Sequence, residues 1–293
     1  MIVLDGGIGR HLEKMGAPFG QPEWSALSLI QEPDFVLRAH KDFIDSGADV
    51  ITTNSYAIVP FHIGKDRFEK EGKDLLNRAG NIAREAVKLY KKEIKIAASI
   101  PPVLGSYKPD VFNSEKAIPI LEIFKNNLIQ YCDLILAETL SSIDEIKTIQ
   151  RVFGDCKMPF WISLTIEDEY YNIPKLRSGE EIVTALRKID FNKISSVLFN
   201  CSQPEVMAKA IKVAKNLVPE NTSLGVYANA FQPIKIGQRD ANSQIRNTRQ
   251  ELTPEKYFDF VKEWNELEVD IIGGCCGIGP EHIKKICELK KNR

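Results

Sequence analysis

Short apolar runs rich in β-branched residues recur along the chain, spaced by roughly 30 to 40 residues, as a barrel of alternating strands and helices requires. They cover Ile2–Asp5, Val50–Asn54, Ile94–Ile100, Leu134–Glu138, Phe160–Thr165, Ser196–Cys201, Leu224–Asn229 and Asp270–Gly274. The intervening segments carry apolar residues at helical spacing. One runs from Pro33 to a C-capping Gly47, another from Phe68 to Tyr90, and a third follows Ser142 through Ile146, Ile149 and Val152. Later ones cover Gly179–Ile189, Pro204–Val218, Pro254–Leu267 and Pro280–Leu289, several opened by a proline in the first turn, where its missing N–H costs nothing. Alternation of this kind makes a parallel sheet, either an open Rossmann sheet or a closed barrel. The Gly6-Gly7-Ile8-Gly9 turn does not keep the G-x-G-x-x-G spacing of a dinucleotide site. Eight units in 293 residues favour an α/β fold of the (β/α)8 TIM-barrel type, with residues 1–293 as a single domain. Irregular stretches at Pro101–Ser114 and Gln232–Glu251 follow strands, where barrels place site-forming loops.

A buried barrel strand ends in apolar or small residues unless its end is used, and these ends are polar. The first run delivers Asp5, the second Asn54 with Tyr56 just beyond, and the fourth Glu138. The sixth delivers Asn200 and Cys201, the seventh Asn229, and the eighth Cys275 and Cys276 between glycines. All would gather on one face. Adjacent cysteines make a poor disulfide with each other, whereas thiolates on a Gly-rich turn suit a soft cation. Three thiolates make a zinc site with one open position; the other reading is that Cys201 is a small core residue and Cys275-Cys276 a packed turn. Cys132, Cys156 and Cys287 fall in or beside helical segments, and His11, His40 and His282 read as helix or loop residues. His62 falls in the loop after the second strand, where it either borders the site or, the favoured reading, is a solvated loop residue.

Charge and composition narrow the picture further. Thirty-nine basic and 40 acidic residues nearly cancel, without long blocks of one sign, so neither nucleic acid nor a membrane surface is an implied partner. The N-terminus enters a strand at once and lacks a signal-peptide pattern, and no apolar run is long enough to span a bilayer. A cytoplasmic location is expected, where cysteines stay reduced and paired thiols point to metal binding or catalysis rather than a disulfide framework.

Leu4-Asp5-Gly6-Gly7, Trp24-Ser25-Ala26, Thr53-Asn54-Ser55-Tyr56, Ala137-Glu138-Thr139-Leu140, Asn200-Cys201 and Gly273-Gly274-Cys275-Cys276-Gly277 together resemble the homocysteine S-methyltransferase family over nearly the whole chain. The resemblance implies a zinc ion held by Cys201, Cys275 and Cys276, with the homocysteine sulfur as fourth ligand and methionine as product. An alkyl thiol has a pKa of about 8.5, and coordination would hold it as the reactive thiolate. Asp5 and Glu138 would hold the substrate amino group, and the backbone N–H groups around Gly6, Gly7, Ile8 and Gly9 its carboxylate. Trp24 and Tyr56 would face a small cationic methyl donor, with cation–π attraction of about 0.5 to 2 kcal/mol. Asn54 and Asn229 would bind donor or substrate, or orient loops. The Trp24-Ser25-Ala26 segment is closer to the branch using S-methylmethionine or S-adenosylmethionine, and the chain lacks the C-terminal extension of betaine enzymes and any cobalamin or folate module. A sulfonium donor is therefore expected. A betaine-type donor, another thiol or selenol acceptor, and a non-catalytic zinc-binding barrel are the alternatives, and the oligomeric state is left open.

Overall fold

The computed structural model describes residues 1–169, 172–234 and 246–291. Eight strands form one parallel sheet: β1 (Ile2–Val3), β2 (Val50–Thr52), β3 (Lys95–Ile100), β4 (Leu134–Leu140), β5 (Phe160–Leu164), β6 (Ser196–Asn200), β7 (Ser223–Tyr227) and β8 (Ile271–Ile272). Each strand from β2 to β8 pairs with the next, and β1 pairs with β8 in the register Ile2 to Ile271. A parallel bridge between Leu4 and Val50 joins β1 to β2, supported by Asp49 N–H donating to Val3 O at 2.7 Å and Asp5 N–H to Val50 O at 3.0 Å. The ring is closed by these contacts, and the fold is the expected (β/α)8 barrel.

The alternation of a strand decides what the barrel holds. Residues two apart share a face, so Leu134, Leu136, Ala97, Trp161 and Leu198 pack together inside as an apolar plug with Leu4, Val50, Tyr227 and Ile271. One step further along the same faces stand Glu138, Ser99, Ser163 and Asn200, all buried. The outward faces join a larger core with the helices, including Phe43, Phe124, Phe153 and Trp264.

Helices Pro33–Asp45, Lys65–Lys88, Ile143–Phe153, Pro204–Lys215, Pro254–Glu266 and Pro280–Ile286 occupy the segments where the periodicity placed them. Ser142 caps its helix by accepting the Glu145 N–H, and Thr253 does the same for Lys256. The expected Gly179–Ile189 helix shrinks to Ile182–Leu186. Helices Ile8–Lys14, Ser25–Gln31 and Ser114–Asn127 were not evident from the pattern. The last carries Pro119 in its interior, and the Asn113 side chain caps it by accepting the Lys116 N–H. Of the irregular stretch Gln232–Glu251, residues 235–245 lie outside the described residues. Among the described residues no helix is long and apolar enough to cross a membrane.

Candidate active site and metal centre

A cavity of about 180 Å3 opens at the C-terminal ends of the strands. Asp5, Gly6, Gly7, Trp24, Tyr56, Glu138, Cys201, Cys275 and Cys276 all line it. Asn54 and Asn229 do not: Asn54 donates to Ser25 O beside Trp24, and the Asn229 carboxamide oxygen accepts from Gln203 Nε2 and Phe231 N–H. Both asparagines set loop geometry around the cavity. His62 is buried in its wall, with Nδ1 3.1 Å from Pro22 O, rather than solvated. The loop that carries it folds down as a short helix, Pro60–Ile63, which a local reading of polar residues does not reveal.

The three cysteines converge, with their sulfurs all within 4.8 Å of one another. Cys201 follows β6 with φ of 49°, and Cys275 and Cys276 follow β8. Backbone bonds from Cys275 N–H to Ala228 O and from Ala230 N–H to Cys276 O tie that turn to the extension of β7. The sequence led us to expect three free thiols; instead Cys201 and Cys275 stand as a disulfide, with Cα atoms 5.7 Å apart. Sulfurs aimed at one point are close enough to bond to each other, and the pair must be reduced before all three can act as thiolates. Burial pushes the Cys276 thiol up to about 11, with Arg10 acting in the opposite direction. Such a thiol keeps its proton until a cation displaces it. Three convergent sulfur donors, one after β6 and two on the turn after β8, fit a zinc-type ion with one position left open.

Two buried carboxyl groups line the same cavity. Glu138 accepts from Ser99 Oγ at 2.5 Å and from Tyr227 OH at 3.1 Å. Burial raises its pKa to about 6, against the opposing pull of those two bonds. Asp5 accepts from the Thr52 N–H at 2.7 Å and from Thr52 Oγ1, and burial, helped by repulsion from Glu138, raises it well above the usual range. Among the described residues neither has a lysine or arginine partner. Two buried carboxyl groups without a cationic partner among the described residues are costly to ionise, and a positive charge brought into the cavity would lower that cost.

The remaining wall is aromatic. Trp24, with φ of 50°, meets Phe19 edge-on at 5.5 Å, and Tyr56 shares a hydrogen bond with Ser106 Oγ at 2.7 Å. Tyr107, also with positive φ (62°), lines the cavity, as do Phe231, Arg10 and Arg246. Thr139, next to Glu138, has φ of 63° at a bulge in β4, where the Asn200 side chain holds its backbone N–H and hydroxyl. Among the described residues, four of the five non-glycine residues with positive φ (Trp24, Tyr107, Thr139 and Cys201) thus lie in or beside the site, where backbone strain is commonly concentrated. The sequence reading missed Tyr107, although the loop Pro101–Ser114 that carries it had been marked as site-forming. Nothing local in the sequence signalled Arg10 or Arg246.

A family model described as homocysteine S-methyltransferase matches residues 2–289. Homocysteine S-methyltransferase 1 of Brassica oleracea var. italica is 28% identical over 99% of this chain and 94% of its own length. The Arabidopsis thaliana protein of the same name is 27% identical over 99% and 94%. Selenocysteine methyltransferase of Astragalus bisulcatus is 26% identical over 98% and 91%. Among solved structures, the metallated form of the homocysteine methyltransferase MmuM from Escherichia coli superposes with a TM-score of 0.79 at 21% identity, covering 99% of this chain and 96% of that one. That likeness establishes the fold.

Proposed function

The chain belongs to the homocysteine S-methyltransferase family, whose activity is methyl transfer to homocysteine, and from that premise we propose that it is zinc-dependent and takes its methyl group from a sulfonium donor, S-methylmethionine or S-adenosylmethionine. The observation that carries this reading is one cavity lined both by three convergent cysteines and by two buried carboxyl groups that have no lysine or arginine partner among the described residues.

Cys201, Cys275 and Cys276, once reduced, would hold the zinc ion. When bound, zinc supplies the charge that keeps a substrate thiol deprotonated and nucleophilic near neutral pH. Glu138 and Asp5 receive the substrate ammonium, which brings the positive charge their burial lacks. The Gly7 N–H is committed to Ile278 O at 3.0 Å, so the first-turn N–H groups of Ile8 and Gly9, both lining the cavity, receive the carboxylate. Trp24 and Tyr56 present aromatic faces to the donor cation. Asn54 fixes the Trp24 segment, and Asn229 the loop after β7. Transfer between two sulfurs then depends on alignment, which a walled cavity provides, rather than on a general base. Residues 1–293 act as one homocysteine-binding domain, in a reducing compartment such as the cytoplasm.

Metal analysis of the reduced protein tests this, followed by homocysteine methylation assays against S-methylmethionine, S-adenosylmethionine and betaine separately. About one zinc per chain is expected, with activity on a sulfonium donor and loss of both zinc and activity in Cys201→Ala, Cys275→Ala and Cys276→Ala. Full activity in zinc-free protein would refute the metal reading, and preference for betaine the donor reading. A cysteine or selenocysteine acceptor preferred over homocysteine would move the assignment to another thiol or selenol. Zinc uptake without transfer from any donor would leave a non-catalytic zinc-binding barrel.

A further inference from the structure

We propose that Arg177 and Asp168 are positioning residues for the metal centre, holding Cys201 in its left-handed backbone conformation from beneath. The proposal rests on the reading of Cys201 as a metal ligand. It arises from a buried ion pair that the chemistry of methyl transfer does not itself require.

Arg177 lies on the segment that returns after β5 and is buried. Its guanidinium pairs with Asp168 through both terminal nitrogens, at 3.2 and 3.0 Å, and lies 3.8 Å from Glu167. It also donates to Cys201 O at 3.3 Å. Thr165 Oγ1 donates to the same carbonyl at 3.3 Å and accepts from Arg177 Nε at 3.4 Å. The Asp168 carboxylate, for its part, accepts from Gln203 N–H at 2.9 Å and from Ile234 N–H at 2.8 Å. Ile234 packs against Cys201 in a cluster with Tyr107.

One ion pair therefore joins the loops after β5, β6 and β7, and two of its bonds bracket Cys201, at its carbonyl and two residues beyond. A residue with φ of 49° costs backbone energy unless its surroundings over-determine it. A bidentate Arg–carboxylate fork is directional enough to do so, and lysine cannot reproduce it. Ligand preorganisation of this kind is commonly worth 10- to 100-fold in metal affinity.

The test measures zinc affinity by competition with a chromophoric chelator under reducing conditions, together with amide hydrogen exchange across residues 200–204 of the metal-free protein. Arg177→Lys is expected to bind zinc about 10- to 100-fold more weakly and to exchange those amides at least about tenfold faster, with an unchanged circular-dichroism spectrum. Asp168→Asn, with Glu167 left to share the arginine's charge, gives a smaller change in the same direction and serves if Arg177→Lys does not fold. The control is Arg84→Lys. Arg84 pairs with Asp133, which likewise accepts a backbone N–H, from Ile96, but at the opposite end of the barrel. Its zinc affinity should stay within about twofold of wild type. Wild-type zinc affinity or unchanged exchange in folded Arg177→Lys overturns the proposal, as does an equal loss of affinity in Arg84→Lys. Should the wild-type protein itself take up no zinc, the metal reading fails, and the exchange rates alone still decide whether Arg177 holds Cys201.

Discussion

Glu138 has both carboxylate oxygens engaged, by Ser99 and Tyr227, yet burial still raises its pKa to about 6. Two hydrogen bonds from neutral hydroxyls do not replace a missing counter-charge in a dry wall. If the substrate ammonium is that counter-charge, kcat/KM for homocysteine falls as the pH drops through about 6, because the free enzyme's clamp becomes protonated. The same shift has a stability consequence of definite sign. A carboxyl whose folded pKa exceeds its unfolded value, about 4.3, makes the folded state bind its proton more tightly. That contribution is lost as pH rises through about 6, and above it the ionised group costs about 2 kcal/mol. Glu138→Gln should therefore melt roughly 3 to 6 °C higher than wild type at pH 7.5, with the gap closing near pH 4.5. Its KM for homocysteine should rise by about one to two orders of magnitude. Calorimetry at the two pH values, beside steady-state kinetics, checks both; a variant with unaltered KM removes Glu138 from the clamp. The residue itself was legible from sequence, as a charged side chain at the end of an apolar strand. Its unpaired state was not, because that depends on what the other seven strands bring.

At the scale of elements, the glycines after β1 show the difference between a local signal and a closed barrel. Gly6-Gly7 reads from sequence as a permissive turn that lets a ligand approach the backbone. In the fold the close approach is made first by the chain itself: a β-carbon on Gly7 would lie 2.6 Å from Cys275 O and 2.8 Å from Cys276 Cα. The loops after β1 and β8 interlock there, with Gly274 N–H donating to Asp5 O and Gly7 N–H to Ile278 O. This contact exists only because the first and last strands pair, a relation between residues more than 260 positions apart that no local pattern displays. Gly7→Ala must shift the double-cysteine turn relative to Cys201. Zinc affinity should drop by at least about tenfold while the circular-dichroism spectrum is retained. Gly20→Ala, where an added β-carbon meets nothing within 4 Å, should bind zinc as wild type does. Chelator competition on the two variants separates the cases, and equal affinity in Gly7→Ala would show that the turn is not set by this contact.

Over the whole molecule, the barrel was legible because eight recurring runs admit few other closures, and their polar ends named the cysteines and carboxyl groups of the cavity but not Tyr107, Phe231, Arg10 or Arg246. Helix Ser114–Asn127 was hidden because Pro119 reads as a breaker, though tertiary packing of Ala117, Leu121 and Phe124 overrides it. His40 shares the helical periodicity of Val36, Phe43 and Ile44, which marks a buried face, but that pattern does not tell what its ring nitrogens meet there. It sits fully buried, with neither ring nitrogen hydrogen-bonded among the described residues, and burial lowers its pKa to about 4. This shift acts on the entire folding equilibrium, and its sign is opposite to that of Glu138. Above pH 6.5 the imidazole is neutral in both folded and unfolded chains and imposes no charge penalty. Between about 6.5 and 4 the unfolded chain takes up a proton that the folded one refuses, so stability falls with pH, by about 3 kcal/mol once pH 4 is reached. His40→Leu removes the refusal. Relative to wild type, the variant should gain about 2 kcal/mol on going from pH 7.5 to pH 5, whatever its packing costs at the higher pH. Urea midpoints of the two proteins at both pH values give the difference directly, since packing terms cancel between them. A gap that stays constant with pH would mean that His40 takes up its proton in the folded barrel as readily as in the unfolded chain.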